Sequence, residues 1–319
     1  MFTYLKDILL NTSTNLNQLT EKEREALIKL TDLGYRFTYP IPERLHYSNE
    51  SPPEKLIKAI ILDTETTGFN QVTDKIIELG MIAFEFCPLT GQAYRVLGTF
   101  NQLEDPGFPI PPESTKVHHI TDEMVKGQSF NEVEVESFIS EAILVIAHNA
   151  NFDRPFVESR FPIFQKKSWA CSLNQISWKE EGFGSASQEF LAYRFGFHYE
   201  GHRASTDCRA LLEILQQPMP ESDTLVLRKL IDSLRKKEIK ISPLASPFDS
   251  KDLLKERGYR WNPEVKLWSA IIALISLENE VKWLKVAVYG GRSFQLEQES
   301  MTALNRFSAR KGVVDIVSC

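Results

Sequence analysis

The sequence lacks any apolar run long enough for a membrane. Its longest, at 142–147 and 270–275, are six residues each, against the roughly 18–20 that a helical span needs. A membrane anchor is therefore not expected. The start, Met1-Phe2-Thr3-Tyr4-Leu5-Lys6-Asp7, has no basic stretch followed by an apolar core and a small-residue cleavage site, so it does not read as a secretory signal. Cysteine is scarce: Cys87, Cys171, Cys208 and Cys319 lie far apart, with no CxxC pair and no histidine at zinc-ligand spacing. That pattern suits reduced thiols in a cytoplasmic protein better than disulfides or a zinc site. Internal repeats and low-complexity stretches are absent. At 42% hydrophobic and 25% charged, the composition excludes a wholly disordered or fibrous chain.

What is present divides unevenly. The 319 residues suggest about two domains. Residues 1–220 carry 20 Lys+Arg against 30 Asp+Glu, a net of −10, whereas 221–319 carry 17 against 13, a net of +4. An acidic body suits metal ligands or a solvated surface, and a basic C-terminal piece is suited to a polyanion.

Residues 1–55 read as a helical N-terminal extension and linker. Thr20-Glu21-Lys22-Glu23 forms a cap-like start, Ala26, Leu27, Leu30 and Leu33 share a helix face, and Pro40, Pro42, Pro52 and Pro53 punctuate the stretch that follows. Residues 56–217 read as an α/β domain. Strands are expected at 57–62, 75–87, 93–100 and 143–147, and helices at 132–141, 152–160, 188–195 and 205–215, which implies a mixed sheet flanked by helices. Pro218-Met219-Pro220 marks a boundary. Residues 221–319 then read as a small basic α+β C-terminal domain, with helices at 225–236 and 251–257 and a strand at 239–241.

Three segments carry chemistry. In Ile60-Ile61-Leu62-Asp63-Thr64-Glu65-Thr66-Thr67-Gly68, two carboxylates at i and i+2 leave an apolar strand on one face. Such a pair is costly in low dielectric, and a divalent cation between the acids removes the cost; hard oxygen donors suit Mg²⁺ or Mn²⁺. Alone, the pair also reads as a solvated strand edge or a helix cap. In Ala147-His148-Asn149-Ala150-Asn151-Phe152-Asp153 a strand leads into a helix whose first turn holds Asp153, either a site acid or a dipole-stabilising one with Asn149 or Asn151 as N-cap. In Gly201-His202-Arg203-Ala204-Ser205-Thr206-Asp207 a loop histidine precedes a helix-borne acid, either aimed into one cleft or each satisfied locally.

Taken together, acid-x-acid, Asn-x-x-Phe-Asp and His-x-Ala-x-x-Asp resemble, in order and spacing, the DEDDh branch of the DnaQ-like 3′–5′ exonuclease superfamily over about residues 58–215. Val117-His118-His119-Ile120-Thr121 is similar to the family's Val-His-Gly-Ile-Thr, with His119 where glycine is usual. The resemblance implies a ribonuclease-H-like mixed five-stranded sheet. It implies that Asp63, Glu65, Asp153 and Asp207 hold two divalent metals, and that His202 is the general base. Two cations about 3.5–4 Å apart supply a nucleophile and neutralise the developing charge of phosphodiester hydrolysis; an imidazole accepts a proton near neutral pH. Thr66, Phe69, His118, Asn149 and Phe152 fall where the family contacts substrate, each also having a structural reading as a turn residue, a cover of the sheet end or a helix cap. Cys171 and Cys208 read as small buried apolar residues.

Residues 248–268 resemble a short Lys/Trp-rich module found beside nuclease domains. Lys251, Lys255, Arg257, Arg260 and Lys266, beside Tyr259, Trp261 and Trp268, suit phosphate contact with base stacking, although the tryptophans also suit a small core. The expectation is an exonuclease releasing nucleoside 5′-monophosphates from single-stranded or frayed DNA 3′ ends, acting in DNA repair or processing. An exoribonuclease and a non-catalytic nucleic-acid-binding adaptor are the alternatives. The partner expected is nucleic acid; no polymerase or sliding-clamp partner is evident from the chain.

Overall fold

The computed structural model describes residues 20–319; the part of the expected N-terminal extension at 1–19 lies outside them. The described residues begin with α1 (Glu21–Asp32), whose Thr20 and Glu23 form the reciprocal cap that the sequence announces. A short strand β1 (Tyr39–Pro40) follows. The α/β body then comprises β2 (Ile57–Thr66), β3 (Ile76–Phe86), β4 (Ala93–Leu103), α2 (Pro112–His118), α3 (Glu132–Ile139), β5 (Leu144–Ala147), α4 (Ala150–Arg160), β6 (Ser168–Cys171), α5 (Gln188–Arg194), β7 (Phe197–His198) and α6 (Ala204–Leu215).

Its main sheet has the order β4-β3-β2-β5-β6. Strands β2, β3 and β4 run antiparallel, and β5 and β6 join parallel to β2, giving the expected mixed five-stranded sheet. Alternation along β2 explains why it sits in the middle. Ala59 and Ile61 feed one core with α5 and α6, while Ile60 and Leu62 feed the other with α3 and α4. The strand expected at 57–62 continues to Thr66, because β3 stays in register beside it through Asp63↔Gly80 and Glu65↔Glu78. Both acids are therefore on the strand itself. Strand β6 was not expected, being a four-residue segment without flanking turn signals.

The Pro-rich linker is laced to this body. Strand β1 pairs in parallel with β7, and Val96 N–H donates to the Leu45 carbonyl. Helix α7 (Val226–Leu234) also belongs to it by packing: Val226, Leu227 and Leu230 are wholly buried in the core under the first sheet. The packing break thus falls after Leu234, beyond the change of charge at 220, because an apolar face fixes a helix and net charge does not.

The remaining residues form a second five-stranded sheet, antiparallel throughout, in the order β12-β11-β8-β10-β9. Its elements are β8 (Glu238–Pro243), α8 (Lys251–Glu256), β9 (Arg260–Asn262), β10 (Leu267–Ala273), α9 (Leu277–Trp283), β11 (Gln295–Met301) and β12 (Val314–Ser318). Ile241, Leu254, Tyr259, Leu284 and Leu296 fill its core, with Trp268 and Trp283 packed against them. Trp261 stays half exposed on the edge strand, its ring 5.6 Å from that of Trp268. Two of the three tryptophans are thus spent on packing.

A latch joins the two sheets. The Arg154 side chain, wholly buried in α4, donates to the carbonyls of Leu304 (2.6 Å) and Arg306 (2.5 Å). Glu158, one turn on, accepts from Arg154, Ser308 and Arg310. The edge strand β6 is covered at the same place, since Trp169 N–H donates to the Ala303 carbonyl (2.7 Å). No helix among the described residues is long and apolar enough to cross a membrane, and all four cysteines are free.

Candidate active site

Three acids meet at the end of β2. Asp63 and Glu65 project from one face of the strand, and Asp207 comes from the first turn of α6; one carboxylate oxygen of each lies within 4.8 Å of the others. All three are partly buried. Asp153, in the first turn of α4 and 2% exposed, meets the end of β2 at Thr64. Its Oδ1 accepts from the Thr64 backbone N–H (3.2 Å) and hydroxyl (2.8 Å). Asp153 is therefore held by the residue between the two strand acids, and is more than a dipole-stabilising acid. Asn149 takes the N-cap position but makes no side-chain cap bond.

The electrostatics show a site short of positive charge. Burial raises the Asp63 carboxyl well above the ordinary range, with Asp153, Asp207 and Glu65 adding repulsion. Burial, followed by Asp207 and Glu78, pushes Glu65 up to about 8. Asp153 is raised to about 7 by burial, against the opposing Thr64 hydrogen bonds, and burial raises Asp207 also. Clustered buried acids disfavour ionisation until a cation is supplied. Hard oxygen donors at this spacing fit a divalent ion.

His202 sits at the mouth of the cluster, exposed, in the left-handed backbone region (φ 65°). A non-glycine residue there is strained by roughly 1–2 kcal/mol, so its neighbours must fix it. The backbone N–H of Arg203 donates to Asp207 Oδ2 (3.1 Å). The Arg203 guanidinium grips Glu78 with Nε and Nη2 (3.1 and 2.9 Å), and Ala204 N–H donates to the same carboxylate. Glu78 is wholly buried on β3. Beside it, Gly80 leaves room for the helix: a Cβ there would lie 2.4 Å from the Ala204 carbonyl carbon. Glu78, Gly80 and Arg203 were not singled out from sequence. A signal was available, because Glu78 is the only charged residue in the run Ile76-Ile77-Glu78-Leu79-Gly80-Met81-Ile82-Ala83-Phe84.

The other expected substrate residues are placed unevenly. Phe69 is 92% exposed and makes an edge contact with Phe152 (ring centroids 6.0 Å), which in turn touches Phe156. The Thr66 hydroxyl donates to the Gly68 carbonyl, so it is occupied in the turn. His118 is buried; its Nδ1 accepts from Ile120 N–H, its Nε2 has no partner, and burial lowers its pKa. His119 has φ 59° and caps α2. The family's glycine is explained by that left-handed C-cap, and here histidine adopts the same backbone with its side chain in solvent. Cys208 lies beneath the acids, where burial first and then Asp63 push its thiol well up, which excludes a nucleophilic thiolate.

Of the five basic residues expected to meet nucleic acid, Arg257 is committed to Glu280 (2.9 Å) and to the Trp283 ring (4.8 Å). Lys251 rests over Phe248 (4.5 Å), Lys266 lies in a turn with φ 53°, and Lys255 is in solvent. Arg260 alone of the five faces the nuclease body, across a cleft lined by Phe69 and Phe152.

The exonuclease family model, RNase T, matches residues 60–215, the stretch that holds all four acids and His202. DNA polymerase III subunit epsilon of Treponema pallidum is 32% identical over 162 residues, which is 48% of this chain and 72% of that protein. A PolC-type DNA polymerase III of Pediococcus pentosaceus is 38% identical over 119 residues, 36% of this chain but only 8% of that protein. Among solved structures, exonuclease X in complex with 5′-overhanging duplex DNA shares 24% identity with a TM-score of 0.37, covering 55% of this chain and 90% of that one. The matched segment, its mixed sheet and its acid cluster place the chain in the DnaQ-like family of 3′–5′ exonucleases.

Proposed function

We propose that the protein is a metal-dependent exonuclease that hydrolyses the terminal phosphodiester at single-stranded or frayed DNA 3′ ends and releases nucleoside 5′-monophosphates. The convergence of Asp63, Glu65 and Asp207 within 4.8 Å carries this reading. These three, with Asp153, would hold two divalent cations, Mg²⁺ or Mn²⁺. When bound, such ions supply a nucleophile at neutral pH and neutralise charge on the phosphate and leaving oxygens. Thr64 fixes Asp153 for that task. The Arg203–Glu78 pair and the Arg203 backbone fix the loop that presents His202, which takes the proton released by the attacking water. Burial lowers the pKa of His118, which favours its neutral ring, and Phe69 presents an open ring on which a base can stack.

DNA is favoured over RNA because the relatives are DNA polymerase III proteins. A free-standing processing enzyme is favoured over a clamp-tethered subunit. The segment Gln216-Gln217-Pro218-Met219 is folded into the body, with Met219 1% exposed in the core, and is not open to a partner. Residues 56–217 with α7 form the nuclease unit, and residues beyond Leu234 form the appended module.

The test is a time course on 5′-labelled DNA and RNA oligonucleotides with Mg²⁺, Mn²⁺ or EDTA. The expected result is a ladder shortening from the 3′ end of DNA, abolished by EDTA and in Asp63→Asn. A faster RNA ladder would make the enzyme an exoribonuclease. No degradation of either strand with either metal would overturn the reading in favour of a binding adaptor.

A further inference from the structure

A cleft of about 730 Å³ lies between the nuclease body and the second sheet. One wall is the nuclease body, where Phe69 follows Glu65 by four positions and Phe152 precedes Asp153. The opposite wall is a face of the second sheet, with Lys240 on β8 and Arg260 on β9, and with Arg310 and Lys311 ahead of β12. Resting on the exonuclease reading above, we propose that this cleft receives the unpaired strand on the 5′ side of the terminal nucleotide, so that the second sheet forms half of the substrate channel.

Charge and chemistry both point to single-stranded polynucleotide. Arg260 is exposed and has no carboxylate partner among the described residues. Lys240 and Lys311 have acids only at 3.9 and 3.8 Å, beyond hydrogen-bond reach, which leaves ammonium donors for phosphate. Two acids, Glu264 and Glu299, line this wall against the four cations Lys240, Arg260, Arg310 and Lys311. Glu299 is 6% exposed and accepts from Gly312 N–H, and Glu264 lies exposed in the turn between β9 and β10. Opposite the cations stand the Phe69 and Phe152 rings, and base stacking on such rings is tolerant of sequence. The volume suits a short stretch of single strand. The Arg154 and Glu158 hydrogen bonds to residues 304–310 hold the second wall in place, so the channel is formed before substrate arrives.

The test uses the full chain carrying Arg260→Glu and Lys311→Glu together. Both side chains are exposed, and a thermal melt confirms folding. Binding of a fluorescent oligothymidylate of about twenty nucleotides is followed by anisotropy in EDTA over a salt series, and kcat/KM is compared between that oligomer and a tetramer of about four nucleotides. We expect Kd to weaken about tenfold or more and the salt slope to fall by about 0.7 per lost phosphate contact. The long-to-short ratio of kcat/KM should fall by about tenfold. Lys251→Glu with Lys255→Glu, the same charge change outside the cleft, should stay within about twofold of wild-type affinity. Unaltered Kd, slope and length ratio in a wild-type background that degrades DNA would overturn the channel, as would equal weakening in the Lys251/Lys255 control. Wild type that degrades nothing, with binding still lost in Arg260→Glu/Lys311→Glu, would overturn the exonuclease reading and leave the channel standing.

Discussion

Gly80→Ala tests whether the site depends on how closely β3 approaches the start of α6. An added Cβ would lie 2.4 Å from the Ala204 carbonyl carbon, 2.6 Å from Ser205 N and 2.7 Å from Ala204 O. All three are backbone atoms, so no side chain can swing aside. Ordinary contact begins near 3.4 Å, and the helix start must retreat by about 1 Å to reach it. Such overpacking typically costs about 1–3 kcal/mol, which lowers Tm by several degrees in a chain of this size. The larger effect is on rate. The retreat moves Asp207 and the His202 loop together, and a misplacement of about 1 Å costs up to about 100-fold. Single-turnover hydrolysis of a 5′-labelled oligonucleotide at saturating metal measures this directly. Gly98→Ala on β4 is the control, because its new Cβ meets only the Phe138 ring edge at 3.4 Å and should leave the rate within about twofold. A Gly80→Ala enzyme with wild-type rate and melting temperature would refute the reasoning and show that the helix start is free to move.

Three further outcomes are expected. Arg203→Met strands the wholly buried Glu78; stability should fall by roughly 2–3 kcal/mol, at the low end for a broken buried pair because the guanidinium is partly exposed. kcat should fall more than KM rises, and Arg203→Lys should not rescue it, since the two-pronged grip on Glu78 needs the planar fork; full rescue by lysine would contradict this. In EDTA, Asp63→Asn should melt above wild type, because it removes one of several mutually repelling acids, whereas Mg²⁺ at about 100 times its Kd should stabilise wild type by about 2.7 kcal/mol and the variant by less; differential scanning fluorimetry decides. His148, held by Ser172 and the Ala186 carbonyl, has its pKa lowered to about 4 by burial. The unfolded state therefore binds the extra proton between about pH 6.5 and 4, so this histidine's contribution is intact above pH 6.5 and is lost on acidification, with a slope up to about 1.4 kcal/mol per pH unit. His148→Gln should show a smaller acid-side loss of stability by urea melts, and parallel curves would remove His148 from the account.

The site was legible because its chemistry is local. Asp63 and Glu65 are two residues apart on a strand with an apolar start, Asp153 and Asp207 each open a helix with apolar periodicity, and four of the five strands of the main sheet follow from the same patterns. The supports were not legible, because they join distant residues. Glu78 and Arg203 are 125 positions apart, and the linker strand β1 finds β7 across more than 150. The second sheet was only half visible. Strand β11 reads Gln-Leu-Glu-Gln-Glu-Ser-Met, too polar to announce itself, yet it pairs with β8 from Leu296 to Met301. The basic module was read as a contact surface from composition. Its true contacts depend on which face of β8 to β10 turns toward Phe69, and residue type carries no information about that.

The Arg154 latch bears on how the chain becomes an enzyme as it is made. Arg154 neighbours Asp153, and its carbonyl acceptors at Ala303, Leu304 and Arg306 follow it by about 150 positions. At roughly 5–20 residues per second of synthesis, the guanidinium waits on the order of 8–30 s for its partners. During that interval Arg154 has only Glu158, one turn on in the same helix, as its acceptor, and the edge strand β6 lacks its cover. A nascent chain that has emerged only as far as the first sheet therefore lacks the carbonyls that hold the residue beside Asp153.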